Sequence, residues 1–429
     1  MSESIAPRQQ AIQPVSHPVD AEIRVPGSKS ITNRALLLTA LADGTSTLEN
    51  ALFSEDSHWF IDCLRRMGID VEADEASAVI TVHGRGGEFP AKTADCFVGN
   101  SGTTARFMTA AATLGHGDYR FDGIARMRER PIGNLLAALR GLGATITAEG
   151  DRFPLTVHAA GLPGGTTKID ASDSSQFLSA LLQVAPYADR DVTIEAVGAV
   201  VSRPYIDITL AMMAQFGIVV DNFTYRKYSI AAGRRYRSQR YAIEPDASNA
   251  TYFFAAAALT GGRVRVPHLS EHSLQGDAHF VDVLEAMGCA VTRATDYVEV
   301  RGPGRLTGID IDLNAMSDTA QTLAAIAPFA DSPVTIRGIE HIRHKETERI
   351  RAIVTELTRL GVRVDEFADG VTIYPSPITP GAVDTYNDHR MAMAFAVIGL
   401  VAPGIVINDP ACTAKTFPDY FTRFEALYR

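Results

Sequence analysis

The chain has 429 residues, 46% of them hydrophobic and 21% charged, with a formal net charge of −10. This length and composition predict two or three domains with large apolar cores. The acidic balance excludes general nucleic-acid binding, which needs a positive footprint. A membrane span is excluded too, because the longest apolar run, "MAMAFAVIGLVAPGIVI", is broken by Pro403 and Gly404. The start, "MSESIAPRQQ", lacks the charged-then-apolar order of a secretory leader and any Ser- and Arg-rich transit character. A cytoplasmic, bacterial-type protein is expected. Cys63, Cys96, Cys289 and Cys412 are far apart in sequence, form no C-x-x-C pair and indicate neither a zinc motif nor a disulfide framework.

The first informative stretch is "RVPGSKSITNR" at 24–34, where a strand-like run stops at Pro-Gly and Ser-Lys-Ser opens a helix. A nucleotide-binding loop would need glycines where Ile23 and Ser28 stand, so that reading fails. Ser28 or Ser30 can cap the helix, and free N–H groups with the helix dipole favour an anion there. An ordinary cap beside a solvated lysine explains the stretch equally well when it is taken alone.

A helix of small apolar residues, a polar turn and a short alternating strand then recur six times: "ALLLTALADGTSTLEN", "FMTAAATLGHGDYRFDG", "LSALLQVAPYADRDVTIEA", "FFAAAALTGGRVRVPH", "TLAAIAPFADSPVTIRG" and "AFAVIGLVAPGIVINDP". Their central strand residues, Leu48, Phe121, Ile194, Val266, Ile336 and Ile407, follow one another at intervals of 70–73 residues. Such spacing marks an internal repeat. Between these units lie amphipathic helices ending at Gly68, Gly143, Gly217, Gly288 and Gly361, each followed by two strands. Glycine suits that end because it takes the left-handed conformation cheaply. Each repeat reads βαβαββ. The last helix, "DYFTRFEALYR", ends the chain before its strands, and "AEIRV" near the N-terminus is expected to supply the missing material. Both termini would then share one domain, 1–26 plus 245–429, interrupted by a second, 27–244.

The segments that open the six small-apolar helices are all polar: "GSKSITNR", "GNSGTTAR", "SDSSQF", "PDASNA", "MSDTAQ" and "YNDHRM". The second helices are expected to add charge at their starts, in "RMRERP", "VSRPY", "HIRHKETER" and "CTAKTFP". Capping accounts for the Ser, Thr, Asp and Asn residues. It does not account for Lys29, Arg34, Arg130, Lys345, Arg349, Arg390 and Lys415, since a cation opposes the dipole at a helix start. Seven such cations favour a pocket for phosphates or carboxylates over seven solvated side chains. Asp318 and Glu346 stand among them. An acid so placed stays ionised and can accept a proton, although Lys345, Arg349 and Arg343 could hold Glu346 as a simple ion pair.

At these residues the chain resembles the 5-enolpyruvylshikimate-3-phosphate synthase family of enolpyruvyl transferases. "VPGSKS", "GNSGTT", "RPIG", "SSQFLSALL", "SRPYIDIT", "KETER", "YNDHRMAMAF" and "CTAKTFPDYF" fall in family order over nearly the whole length. The resemblance implies an α/β fold, a two-lobed inverse α/β barrel with three βαβαββ repeats in each lobe, six in all, and the site between the lobes. It implies transfer of the enolpyruvyl group of phosphoenolpyruvate to the 5-hydroxyl of shikimate 3-phosphate. These two small molecules would be the only partners, without nucleic acid or membrane, in a monomer. It implies neither metal nor cofactor, arginines and lysines holding the phosphate, and it makes glyphosate an expected competitor of phosphoenolpyruvate.

Matched residue by residue, the resemblance makes Asp318, Glu346 and Lys29 catalytic. Asp318 takes the hydroxyl proton, Glu346 transfers a proton at the methylene carbon, and Lys29 contacts both ligands. Lys29, Ser30, Arg34, Ser174, Ser175, Gln176, Ser202, Tyr205, Asp318, His341 and Lys345 would bind shikimate 3-phosphate. Lys29, Asn100, Gly102, Arg130, Gln176, Arg349, Arg390 and Lys415 would bind phosphoenolpyruvate, with Thr103, Asp388 and His389 nearby. Three residues depart from the usual pattern. His341 replaces a frequent Asn and brings a group that could titrate near neutrality. Arg203 replaces a frequent Lys. Phe107 replaces a frequent Pro, which bears on the shape of the helix behind Gly102. A sister transferase acting on UDP-N-acetylglucosamine usually carries a reactive Cys before its Arg-Pro pair, and "DGIARMRERP" has none.

Overall fold

A computed structural model describes residues 9–429. They form two compact units: an inserted unit, Gly27–Glu244, and a terminal unit made of the described residues up to Pro26 with Pro245–Arg429. Among the described residues, no helix is long and apolar enough to cross a membrane.

Each unit holds three small sheets and three buried helices. In the inserted unit the helices are Lys29–Leu41, Gly102–Ala112 and Ser175–Val184, and nearly every residue of each is buried. In the terminal unit they are Ala247–Thr260, Ala320–Ile326 and His389–Ile398. A helix apolar on all sides belongs inside. The strands instead alternate, as in Val79–Arg85 and Arg263–Pro267, so each sheet shows one face to solvent and one to the helices. Small residues let the helix backbones approach. Gly84 shows how closely the sheet follows: a Cβ there would stand 2.2 Å from the carbonyl oxygen of Thr39.

The sheet of Gly165–Asp170, Val192–Val197, Lys227–Ile230 and Asp221–Phe223 displays the repeat. Its first two strands pair in parallel with Thr167 opposite Ile194, the second is antiparallel to the third with Ile194 opposite Tyr228, and the fourth closes a hairpin. Leu48, Phe121, Ile194, Val266, Ile336 and Ile407 all lie on central strands and are fully buried. The glycines that end the second helices have φ of +92° at Gly68 and +103° at Gly288, a region open to glycine at little cost.

One expectation needs correction. The segment "AEIRV" does not complete the sixth sheet. Asp20–Glu22 pairs in parallel with Arg263–Pro267, in the fourth repeat. The sixth sheet is closed by Gln9–Ala11, antiparallel to Ile405–Asn408. A short strand carries too little pattern to name its partner. The four cysteines are free and buried, as their spacing leads one to expect, and the neighbouring Cys96 and burial raise the Cys63 thiol well above its ordinary range.

Candidate active site

In the inserted unit the N-terminal turns of the three buried helices converge. Asn33 donates to the Thr103 hydroxyl at 2.6 Å, joining the first helix to the start of the second. A Cβ on Gly102 would lie 2.6 Å from Arg130 Nη2 and 3.0 Å from Gln176 Oε1, so these three residues share one small space. Arg130 also donates to the Asn100 carbonyl at 2.9 Å and to its side-chain oxygen at 3.2 Å. Ser174 caps its helix by accepting from the Gln176 N–H, while Ser175 beside it is buried. Ser28 holds the cap position of the first helix but makes no side-chain cap hydrogen bond, which leaves that turn uncapped by its own serine.

Lys29 opens that helix, half-buried, with Nζ 3.8 Å from Asp56. Arg34, one turn further, is fully buried. Its Nε donates to the Thr209 hydroxyl at 2.8 Å, and its other nitrogens donate to Ser30 O at 2.9 Å, Tyr205 O at 2.9 Å and the Ser179 hydroxyl at 3.3 Å. All four partners are neutral. Burial lowers the Arg34 pKa to about 10. Its guanidinium lies 5.3 Å from the centroid of the Phe107 ring, within cation–π range. Phe107 thus leaves the helix Gly102–Ala112 unbroken and packs under a site residue. Ser202 adopts a left-handed φ of +51° at the start of Arg203–Gln215, and Arg203 is exposed, stacked over Tyr225 at 5.1 Å.

The terminal unit gathers charge differently. Asp318 Oδ1 accepts from Lys345 Nζ at 2.6 Å and from Arg349 Nη1 at 3.0 Å, and Oδ2 accepts from Arg390 Nη2 at 2.7 Å. Arg349 also binds Asp388 at 2.7 Å and Glu346 at 2.9 Å. Burial by itself would lower the Arg349 guanidinium, but Asp388, Glu346 and Asp318 outweigh it and raise its pKa. Lys345 is lowered, chiefly by burial, against the pull of Asp318. Asp388 caps His389–Ile398, accepting from the Arg390 N–H at 2.9 Å, and His389 is buried beside it. Arg390 Nη1 donates to the Tyr252 hydroxyl at 3.2 Å. Lys415 is buried at the end of the turn Pro410–Lys415.

His341 does not titrate near neutrality. It is buried beside Lys345 and shares a 2.9 Å hydrogen bond with the Ser317 hydroxyl. Burial first, and Lys345 second, lower its pKa to about 3, so it is neutral in the working range. The expected placing of charge at the starts of the second helices is also corrected. Arg349 opens its helix, but Arg130, Lys345 and Lys415 lie at the C-terminal ends of short helical turns, where the dipole favours a cation. Arg128 pairs with Asp122 at the surface, 2.7 Å away. Glu346 does form the ion pair that its neighbours allow.

Some residues escaped sequence reasoning. Asp277 is buried, accepts a hydrogen bond from Ser248, and is raised to about 6 by burial and by the charge of Asp318. Tyr252 had one signal, as a tyrosine among small residues at the start of an alanine-rich helix. Asp56 had another, as an acid inside the capping box of Ser54 and Ser57. Thr209 and Ser179 had none.

Buried cations gathered at helix starts and turn ends, with the carboxylates of Asp318, Glu346 and Asp388 among them, are the equipment of a protein that handles multiply charged anions. The family described as EPSP synthase (3-phosphoshikimate 1-carboxyvinyltransferase) matches residues 14–424. A 3-phosphoshikimate 1-carboxyvinyltransferase of Nostoc sp. (strain PCC 7120) is 59% identical over 416 residues, covering 96% of this chain and 98% of the relative. One from Shewanella baltica (strain OS155) is 47% identical over 425 residues, covering 98% and 99%. An EPSP synthase structure from Acinetobacter baumannii superposes with a TM-score of 0.81 at 25% identity, covering 98% of each chain. The chain belongs to the EPSP synthase family.

Proposed function

We propose that the chain transfers the enolpyruvyl group of phosphoenolpyruvate to the 5-hydroxyl of shikimate 3-phosphate, on the way to chorismate and the aromatic amino acids. Family membership along the chain supports the reaction, and one observation within it carries the mechanism. Asp318 is a carboxylate held by Lys345, Arg349 and Arg390. Anionic substrates would take those cations over and leave Asp318 free to accept a proton.

In this reading Ser30, Arg34, Ser174, Ser175, Ser202, Tyr205, His341 and Lys345 hold shikimate 3-phosphate. Asn100, Gly102, Arg130, Arg349, Arg390 and Lys415 hold phosphoenolpyruvate, and Lys29 and Gln176 reach both. Asp318 takes the 5-hydroxyl proton as the oxygen attacks the enol ether carbon, while Glu346, with Lys29 as a second acid, protonates the methylene. The resulting tetrahedral adduct loses phosphate and a methyl proton, which restores the double bond. Holding both ligands in one site supplies a proximity term of up to roughly 7–11 kcal/mol in ideal cases. Neutral His341 would donate or accept one hydrogen bond and add no charge. A cytoplasmic monomer is the expected form, and glyphosate is expected to compete with phosphoenolpyruvate.

The test is phosphate release by the purified protein. It is expected only when both substrates are present. Turnover with UDP-N-acetylglucosamine in place of shikimate 3-phosphate would overturn the assignment.

A further inference from the structure

Tyr386 and Asn387 stand side by side in the left-handed conformation, at φ of +55° and +54°. Neither is glycine, and two such residues in succession persist only where their surroundings impose them. The residues that follow are Asp388, His389 and Arg390. They are the cap and first turn of the helix His389–Ile398, which brings Arg390 to Asp318 and Asp388 to Arg349. The direction of that helix start is therefore set at this turn.

Glu356 lies two turns after Arg349 on the same helix, Arg349–Arg359, and is fully buried. None of its hydrogen-bond partners is a residue assigned to the substrates. Its Oε1 accepts from the Tyr386 hydroxyl at 2.5 Å. Its Oε2 accepts from the Asp384 backbone N–H at 3.0 Å and from Arg359 Nη1 at 3.0 Å. Arg359 also binds the Asp384 carboxylate at 2.7 Å, whose other oxygen accepts from Asn408 at 2.6 Å. A carboxylate is buried only at a cost that its hydrogen bonds must offset. An ordinary i,i+3 pair with Arg359 would have done as well at the surface. Here one donor, the Asp384 N–H, precedes the left-handed turn and another, the Tyr386 hydroxyl, belongs to its first residue.

We propose that Glu356 is a positioning residue for phosphoenolpyruvate: it grips Asp384 before the turn and Tyr386 within it, while Arg349, on the same helix, grips Asp388 just after it. The helix Arg349–Arg359 thus acts as a splint. It holds Tyr386 and Asn387 in a shape they would otherwise leave, and that shape aims Arg390. The proposal rests on the functional reading above.

The experiment is steady-state kinetics with both substrates varied, for the wild type, Glu356→Gln and Tyr386→Phe. Glu356→Gln weakens the grip on both anchor points and is expected to raise KM for phosphoenolpyruvate about tenfold, the scale of one weakened charge-assisted hydrogen bond. KM for shikimate 3-phosphate and kcat should stay within about twofold on the same scale. Tyr386→Phe leaves the buried carboxylate with its other donors and should raise the same constant roughly threefold. It decides the matter if Glu356→Gln does not fold. A phosphoenolpyruvate KM unchanged in both variants, or both Michaelis constants rising together as in general destabilisation, overturns the proposal. A wild type that releases no phosphate from the two substrates sinks the functional reading instead, and this inference with it.

Discussion

Arg34 and Arg349 are both buried arginines in the opening turns of a helix, and they are kept charged in opposite ways. Arg34, in the inserted unit, has neutral oxygens and the Phe107 ring as its partners among the described residues, and burial lowers its pKa to about 10. Arg349, in the terminal unit, has Asp318, Glu346 and Asp388, which raise its pKa. An anion arriving at Arg34 meets a cation with no carboxylate to displace. An anion arriving at Arg349, Arg390 or Lys345 must compete with Asp318. In the proposed reaction the first arrangement would be a receptor for charge, and the second a network whose acid is released when charge arrives.

Removing the acid should break this contrast most severely. Asp318→Ala is expected to keep substrate binding, since every cation remains, while kcat falls by about 10²–10⁴, the usual worth of a positioned proton acceptor. Binding titrations beside turnover check both halves. Wild-type turnover would remove Asp318 from the mechanism.

On the receptor side the effect is smaller. Thr209→Val deletes the hydroxyl that accepts from Arg34 Nε, and should raise KM for shikimate 3-phosphate about three- to tenfold with that for phosphoenolpyruvate unchanged. Thr209→Ser, which retains the hydroxyl, should behave as wild type. If the Val and Ser variants behave alike, the hydroxyl does not hold Arg34.

His341 should matter least to activity, because it is already neutral. His341→Asn is expected to leave the pH–rate profile between pH 6 and 8 unmoved, a neutral amide replacing a neutral ring. Its signature belongs to stability. The folded pKa of about 3 lies below the ordinary value of 6.5, so the unfolded chain binds more protons between them. Stability from this group is complete above pH 6.5 and is lost as pH falls toward 3. Asp277 acts in the opposite sense: raised to about 6 from 3.8, it favours the folded state at low pH and loses that contribution as pH rises through 6. Unfolding curves across this range should be flatter in acid for His341→Asn. An unchanged slope would mean that His341 is not buried neutral.

Most of the architecture was legible because it is periodic. Alternation along Val79–Arg85 or Arg263–Pro267 and unbroken apolar character along "ALLLTALA" are local signals, and together they already put sheets outside and helices inside. The candidate site was legible as a set of cations and two acids. What was hidden is which of them meet. Lys345 and Lys415 counted as helix starts in sequence, and they prove to be the ends of short turns. Thr209 and Ser179 look like any other small polar residue in a helix until Arg34 is seen between them.

By itself the sequence determined the six-fold period, the burial of each central strand residue, the glycine ends of the second helices and the stock of charges available for anions. All of these follow from side-chain alternation and local backbone preference, which act over a few residues. Only the tertiary structure decided that Gln9–Ala11 closes the sixth sheet, that Arg34 lacks a carboxylate while Arg349 has three, that His341 stays neutral, and that Glu356 braces the turn before Arg390. Pairing between distant segments and the loss of water around a charge have no local signature. They exist only when the chain has folded back on itself.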